Sequence, residues 1–321
     1  MAHLVARRAL FAVPVLLVVT FGVFAVAAAS PFDPVKAYAG TAGLTASQQT
    51  LDQLRANLGV DQPLTARWWH WLTSALSGDL GNSTTLRQPV ADAIGERVGW
   101  SVLLAATAFV VAVLLGTTLG VLAARSQGGW LDRAVTSLAY TLEAAPPFWL
   151  GLLAVWLFAL KLGVLPSGGL TDTTSSTVTA GQIACHLLLP AAVLATSQLP
   201  WFVLYVRQGV SDALGDDAVR GARARGLNDR TVLVGHALRS GMLPTLTLVG
   251  SRVPELITGA LLVETVFSWP GIAAATVQAA TSVDFSLLAA LTALATVAVL
   301  LGNLVADLLY GLTDPRVGFD G

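Results

Sequence analysis

Glu143, Arg252 and Glu255 stand inside long apolar stretches of this sequence, and Asn303 and Asp307 share one face of another. An ionisable group at membrane depth is costly and is retained where it faces protein or water. Two roles fit such groups. They line a polar path for a charged or zwitterionic solute, or they brace helices and neutralise one another. Arg252 and Glu255 lie three apart around Pro254, within pairing distance on one helix face. Glu143 precedes Pro146-Pro147, which interrupts backbone hydrogen bonding. Ser197 and Gln198, beside Pro200, are weaker candidates for the same lining. Hydrolytic or metal chemistry is not legible. Cys185 is the single cysteine, and His3, His70, His186 and His236 fall in separate regions. Neither lysine, Lys36 or Lys161, stands in a phosphate-loop pattern, so any ATP is expected on another chain. No cofactor is expected in this one.

The elements that must position these residues are membrane spans. The 321 residues are 55% hydrophobic and 12% charged, with mean hydropathy +0.70, where soluble domains carry about 25% charged residues. A bilayer core of about 30 Å needs roughly 20 apolar residues. Six runs satisfy this: 9–29, 98–124, 134–160, 187–206, 243–267 and 287–312. The first follows Arg7-Arg8 as a signal peptide would. Its apolar length exceeds the usual ~7–15 residues, and a retained helix is expected. With the N-terminus inside, 11 Lys and Arg lie in the cytoplasm and 6 outside, Arg252 being within a span. The expectation is an all-α membrane protein with six transmembrane helices and cytoplasmic N- and C-termini, multi-pass in the cytoplasmic (inner) cell membrane. Its parts are the N-terminus and first span (1–29), an extracytoplasmic cap (30–97), a core of five spans (98–312) carrying a cytoplasmic loop (207–242), and a cytoplasmic tail (313–321). In the cap, Leu44, Leu51, Leu54 and Leu58 have helical spacing, and Trp68, Trp69 and Trp71 suit a membrane interface or simple packing. Residues 171–179 are Ser/Thr-rich and read as an external loop. Gly116 and Gly120 form a GxxxG pattern for close helix approach.

The cytoplasmic loop is the most patterned stretch. Asp216 and Asp217 open it and Arg220, Arg223 and Arg225 close it, complementing the dipole of a short helix. Asp216 and Arg220, four apart, are expected to pair. Gly226 fits the left-handed position past a helix end. Asn228 is expected to cap a second helix running through His236 toward Pro244. The residues leave two readings open: a docking surface for another chain, or a positive-inside anchor.

Arg220-Gly221-Ala222-Arg223-Ala224-Arg225-Gly226, then His236-Ala237-Leu238 and Leu243-Pro244, resembles the "EAA" loop of ATP-binding-cassette (ABC) import permeases, in the version of the bacterial dipeptide and oligopeptide branch. Arg220 stands where the general motif has glutamate, and Gly221 where it has alanine. The resemblance continues in order through Leu58–Pro63 and Gly78–Ser83, Ala145–Gly151, Leu165-Pro166, Glu264–Gly271 and Asp307–Arg316, with Ala273 replacing a frequent glycine. The long external segment after the first span is similar to the branch's first-permease type. This resemblance implies a type I ABC importer permease fold and a transmembrane subunit forming the path for peptides, oligopeptide or dipeptide. It implies a coupling helix in the cytoplasmic loop that docks on an ATPase, with ATP and Mg bound by the partner subunits. The partners implied are a second homologous permease, two ATPase subunits or one fused double ATPase, an extracytoplasmic peptide-binding protein and the lipid bilayer, with no nucleic acid. Nickel and glutathione importers share this permease type. A carrier driven by an ion gradient is the alternative from another class, and it would use inverted halves and broken helices.

Overall fold

The computed structural model describes all residues except 1, 32, 40–45, 58, 60, 172–177, 243, 244, 246, 247, 250 and 314–321. Among the described residues every regular element is helical, with one isolated bridge between Asn82 and Pro89. In chain order these are α1 (Ala2–Ala28), α2 (Pro34–Ala39), α3 (Gln48–Asn57), α4 (Leu64–Leu76), α5 (Val90–Arg125), α6 (Trp130–Ala144) and α7 (Pro147–Ala154), which continues as a π-helix over Val155–Lys161. Next come α8 (Ala180–Gly215), α9 (Asp217–Ala224) and α10 (Asp229–Val232), which passes through a π-helical turn, Leu233–Ala237, into α11 (Leu238–Gly241). The last are α12 (Val253–Val266), α13 (Ile272–Thr281) and α14 (Phe285–Thr313).

Among the described residues, four helices are long and apolar enough to cross a membrane: Val5–Ala28, Val90–Arg125, Ala180–Gly215 and Phe285–Leu308. A fifth crossing exists if α6 and α7 with its π extension count as one span, but the pair bends by 102°. The expected span over 134–160 is thus built of two helices that meet at the expected interruption. Pro146 pushes Ala145 out of the helical region, to φ −84° and ψ 127°, and Pro146 and Pro147 bring no backbone N–H to continue the ladder. The expected span over 243–267 is described as a continuous helix only for Val253–Val266, and the predicted site residue Pro244 lies outside the described residues.

The chain divides into two compact units. One contains Val102–Trp269 and Leu301–Gly321, the other Ala2–Ser101 and Pro270–Leu300. In the first, α8 is the spine. Thr179 caps it by accepting from the Gln182 N–H while the Gln182 side chain returns to the Thr179 N–H, a reciprocal capping box. The GxxxG pair lies against α8: a Cβ on Gly116 would stand 2.4 Å from the Phe202 Cβ, and one on Gly120 2.8 Å from the Val203 carbonyl oxygen. Close backbone approach therefore requires both glycines.

In the second unit a core of Phe24, Trp71, Val90, Ala93, Ala275, Ala279 and Leu287 joins α1, α4, α5, α13 and α14. The three neighbouring tryptophans have different roles. Trp71 is buried against Phe24 at 5.9 Å. Trp68 meets Phe21 edge-on and donates its indole N–H to the Thr20 hydroxyl at 3.2 Å, while Trp69 is exposed. Asp284, buried just before α14, accepts from the Ser83 hydroxyl at 2.6 Å and the Thr85 N–H at 3.0 Å. Its other oxygen caps α14 by accepting from the Leu287 N–H at 3.1 Å.

Candidate coupling surface and intramembrane polar cluster

Both candidate sites belong to the unit built on α8. At its C-terminal end, α8 stops because Asp216 takes an extended conformation, and α9 starts at the next residue. The buried face of α9 is Val219 and Ala222, packed with Val206, Val210 and Ala213 of α8 and with Val232, Leu233 and Ala237. Arg220, Arg223 and Arg225 are exposed, and Gly221 is half-buried. The sequence at 217–224 is thus amphipathic in the helical sense: apolar positions at i and i+3 bury, and the arginines between and beyond them face out.

The turn after α9 forms as its residue types require. Gly226 takes φ +79°, the Leu227 N–H reaches back to the Ala222 carbonyl at 3.3 Å, and a Cβ at Gly226 would meet nothing within 4 Å. Glycine is therefore demanded by backbone conformation and not by space. Asn228 then caps α10, its Oδ1 accepting from the Thr231 N–H at 2.8 Å. His236 sits half-buried within the π-helical turn that follows. One expectation is corrected. Arg220 pairs with Asp217 and not with Asp216. Asp216 is the extended residue preceding the helix, so it does not share the face that an i,i+4 pair needs.

Above α9, Arg207 of α8 grips Asp132 of α6. Its Nε and Nη2 donate to the two carboxylate oxygens at 2.5 and 2.8 Å, and the Gly128 N–H adds a third bond at 2.9 Å. Asp132 is 3% exposed, so this is a buried, bidentate brace between two helices. The sequence reading treats Arg207 as one more cytoplasmic positive charge. The only local hint of the brace is an aspartate in the first turn of a helix, where it favours the dipole.

Farther along α8 is a polar cluster. Arg252, 8% exposed, pairs with Glu255 as the i,i+3 spacing predicts, and its guanidinium stacks 3.7 Å from the centroid of the Trp201 ring. Gln198, one turn before Trp201, is buried and donates to the Ser197 hydroxyl at 3.3 Å, and that hydroxyl donates to the Leu194 carbonyl at 2.7 Å. Ser197 lies over α12, where a Cβ on Gly259 would stand 3.8 Å from its Oγ. The Gln198 Oε1 and the Arg252 Nε are buried without a hydrogen-bond partner. Trp201 is the member that the sequence reading omits, although a tryptophan one helical turn from Gln198 is a natural cover for a buried guanidinium. Glu143 is placed apart: it is exposed on the last turn of α6, and among the described residues no hydrogen bond or ion pair joins it to this cluster.

With this geometry in place, comparison with known proteins is specific. The family described as "Binding-protein-dependent transport system inner membrane component" matches residues 116–319, and its N-terminal companion matches residues 1–93. The chain is 32% identical over 320 residues to the oligopeptide transport system permease protein AppB of Bacillus subtilis (strain 168), covering 99% of this chain and 100% of that one. It is 34% identical over 313 residues to a putative peptide permease protein of Brucella suis biovar 1, covering 97% of each. It is 33% identical over 319 residues to the glutathione transport system permease protein GsiC of Escherichia coli O6:H1, covering 99% of this chain and 100% of that one. Among solved structures, an amino acid ABC transporter with histidines aligns with a TM-score of 0.53 at 15% identity, over 68% of this chain and 94% of that chain, which supports the fold alone.

Proposed function

The chain belongs to the family of binding-protein-dependent transport system inner membrane components, as an ABC permease of the dipeptide and oligopeptide type, and from this we propose that it moves short peptides inward, driven by ATP that partner subunits hydrolyse. It is a multi-pass inner membrane protein, a transport subunit. The observation that carries the proposal is α9: a short helix with its apolar side seated on α8 and its arginine side exposed, ready for another protein. Asp216, Asp217, Arg220, Gly221, Ala222, Arg223, Arg225, Gly226, His236 and Pro244 belong to the segment that couples to the ATPase. Ser197, Gln198, Arg252 and Glu255 contribute to the path, and Glu143, exposed on α6 apart from them, is its remaining candidate. The remaining parts are a second permease, two ATPase subunits or one fused pair holding ATP and Mg, and a peptide-binding protein outside.

A ligand-driven switch needs differential contacts in its two states. ATP closing the ATPase pair supplies them at α9, and α8 carries the displacement to the polar cluster. Proteoliposomes containing the whole complex test this. The peptide-loaded binding protein is expected to raise ATP hydrolysis and to drive ATP-dependent peptide uptake. Absence of uptake for every peptide tried, with nickel or another solute carried instead, would defeat the peptide assignment. The likeness to a glutathione permease favours one second reading, a narrow preference for that tripeptide, and uptake of glutathione with rejection of other tripeptides would establish it.

Orientation has its own test. Cys185 is exposed near the start of α8, on the side that the charge asymmetry puts outside. A membrane-impermeant thiol reagent is expected to label intact cells through Cys185. A cysteine replacing the exposed Leu227, in a Cys185→Ser background, is expected to label only after the membrane is opened. Labelling of the 227 position from outside would invert the topology.

A further inference from the structure

The unit holding Ala2–Ser101 and Pro270–Leu300 contains a cavity of about 390 Å³, a size in the range of small-ligand sites, roughly 300–1,000 Å³. Arg67 and Trp71, four apart on α4, both line it, and that spacing puts them on one helix face. Trp71 is 8% exposed and its Nε1 has no hydrogen-bond partner, whereas a buried indole N–H ordinarily finds an acceptor. The Arg67 guanidinium stacks 3.7 Å from the centroid of Phe285, and among the described residues no carboxylate pairs with it. Desolvation pulls its pKa below the ordinary arginine value, so an anion placed beside it would offset the cost of burial. Arg67 thus brings a charged donor to the cavity wall, with the unpartnered indole N–H of Trp71 one turn away.

The rest of the cavity is prebuilt. Val283 lines it at φ +55°, a conformation that a β-branched residue adopts only when its surroundings impose it. The next residue, Asp284, is pinned in place: both of its oxygens are engaged by Ser83, Thr85 and Leu287. Asp79, also in the lining, is exposed. One of its oxygens accepts from the Gly81 N–H at 2.8 Å, and among the described residues no cation pairs with its carboxylate. The cavity therefore carries a cationic donor pole and a separate anionic group.

We propose that this cavity is a peptide-binding site belonging to the permease itself, which takes the α-carboxylate of a short zwitterionic peptide between the Arg67 guanidinium and the Trp71 indole N–H, with the peptide ammonium toward Asp79. It rests on the peptide-permease reading and adds a binding station built largely from the segment that the charge asymmetry puts outside. The test uses the complete permease–ATPase assembly in phosphatidylcholine nanodiscs without the binding protein, and equilibrium dialysis of labelled tri-alanine, its C-terminal amide and its N-acetyl form. Tri-alanine is expected to bind saturably. The amide is expected to bind about tenfold more weakly, the scale of one lost charge-assisted hydrogen bond. Trp71→Phe, which removes little beyond the N–H, and Arg67→Gln are each expected to weaken tri-alanine by a similar factor. Asp79→Asn is expected to weaken tri-alanine and leave the N-acetyl form unchanged. Equal binding of all three probes, unaltered binding by Trp71→Phe, or no saturable binding by the wild-type assembly would each overturn the site. Uptake of tri-alanine is measured in parallel with the binding protein restored. Uptake without binding to the assembly removes the cavity site and leaves the permease reading intact, whereas failure of all peptide uptake removes both.

Discussion

Gly226→Val is expected to abolish coupled transport in a chain that still inserts and still pairs with the second permease. At φ +79° a β-branched side chain is strained by about 1–2 kcal/mol or more, which reduces the population of the native turn roughly five- to thirtyfold. Nothing lies within 4 Å of the added Cβ, so the damage is confined to the direction in which α9 leaves α10. Reversing Arg220 and Arg223 to glutamate tests the other half of the proposal. The Arg220–Asp217 pair is solvent-exposed and contributes little to holding α9 in place, so the reversal acts mainly on what docks there. Both variants are expected to lose peptide uptake and substrate-stimulated ATP hydrolysis together, and the arginine reversal is also expected to reduce co-purification of the ATPase. The exposed Gln53→Ala in α3 serves as the control. Full coupled transport in both loop variants would mean that the loop is only an anchor.

Asp132→Asn is expected to destabilise the chain by about 3–5 kcal/mol, because it leaves the Arg207 guanidinium without its countercharge in a mostly buried site. Arg207→Gln should be similarly damaging. The double change Asp132→Asn with Arg207→Gln should cost clearly less than the sum of the two, the signature of direct coupling. Arg207→Lys is expected to rescue only in part, since an ammonium cannot reproduce the two-pronged grip on both oxygens. Thermal unfolding of the purified permease pair, read with the yield of folded chain in the membrane, measures each variant. Additive losses, or single variants within about 0.5 kcal/mol of wild type, would show that the brace contributes nothing beyond surface charge.

What could be read from sequence followed the range of each interaction. Gly226 and Asn228 were legible because a left-handed turn and an N-cap are requirements of single residues, and both are met at +79° and 2.8 Å. The Arg252–Glu255 pair was legible because it is local. Pro146-Pro147 announced an interruption, but a 102° bend depends on where α7 can pack, and no local rule supplies that angle. Asp132 and Arg207 are 75 positions apart and meet only when α6 lies beside α8 in one register. The same holds for the Trp201 ring over Arg252 and for Asp284 reaching back to Ser83. The Asp216–Arg220 expectation failed for a smaller reason: the helix starts one residue later than its charge pattern suggests, and that residue changes which carboxylate shares the arginine's face.

The length of α8 makes it a lever. Its 36 residues span about 54 Å, against a hydrocarbon thickness of about 30 Å, so nearly half of it stands beyond the lipid core. The Asp132–Arg207 grip is a natural fulcrum. Gln198 lies nine residues to one side of Arg207, and Asp216, where α9 begins, lies nine residues to the other. Each arm is therefore about 13 Å long. With near-equal arms, and on the proposal that the ATPase pushes α9, a displacement there returns a movement of similar size and opposite direction at the polar cluster. Pro200 lies between fulcrum and cluster and is the one compliant joint in that arm. On the coupling proposal, the size of an opening at the cluster follows from how far α9 is pushed and how far Pro200 yields.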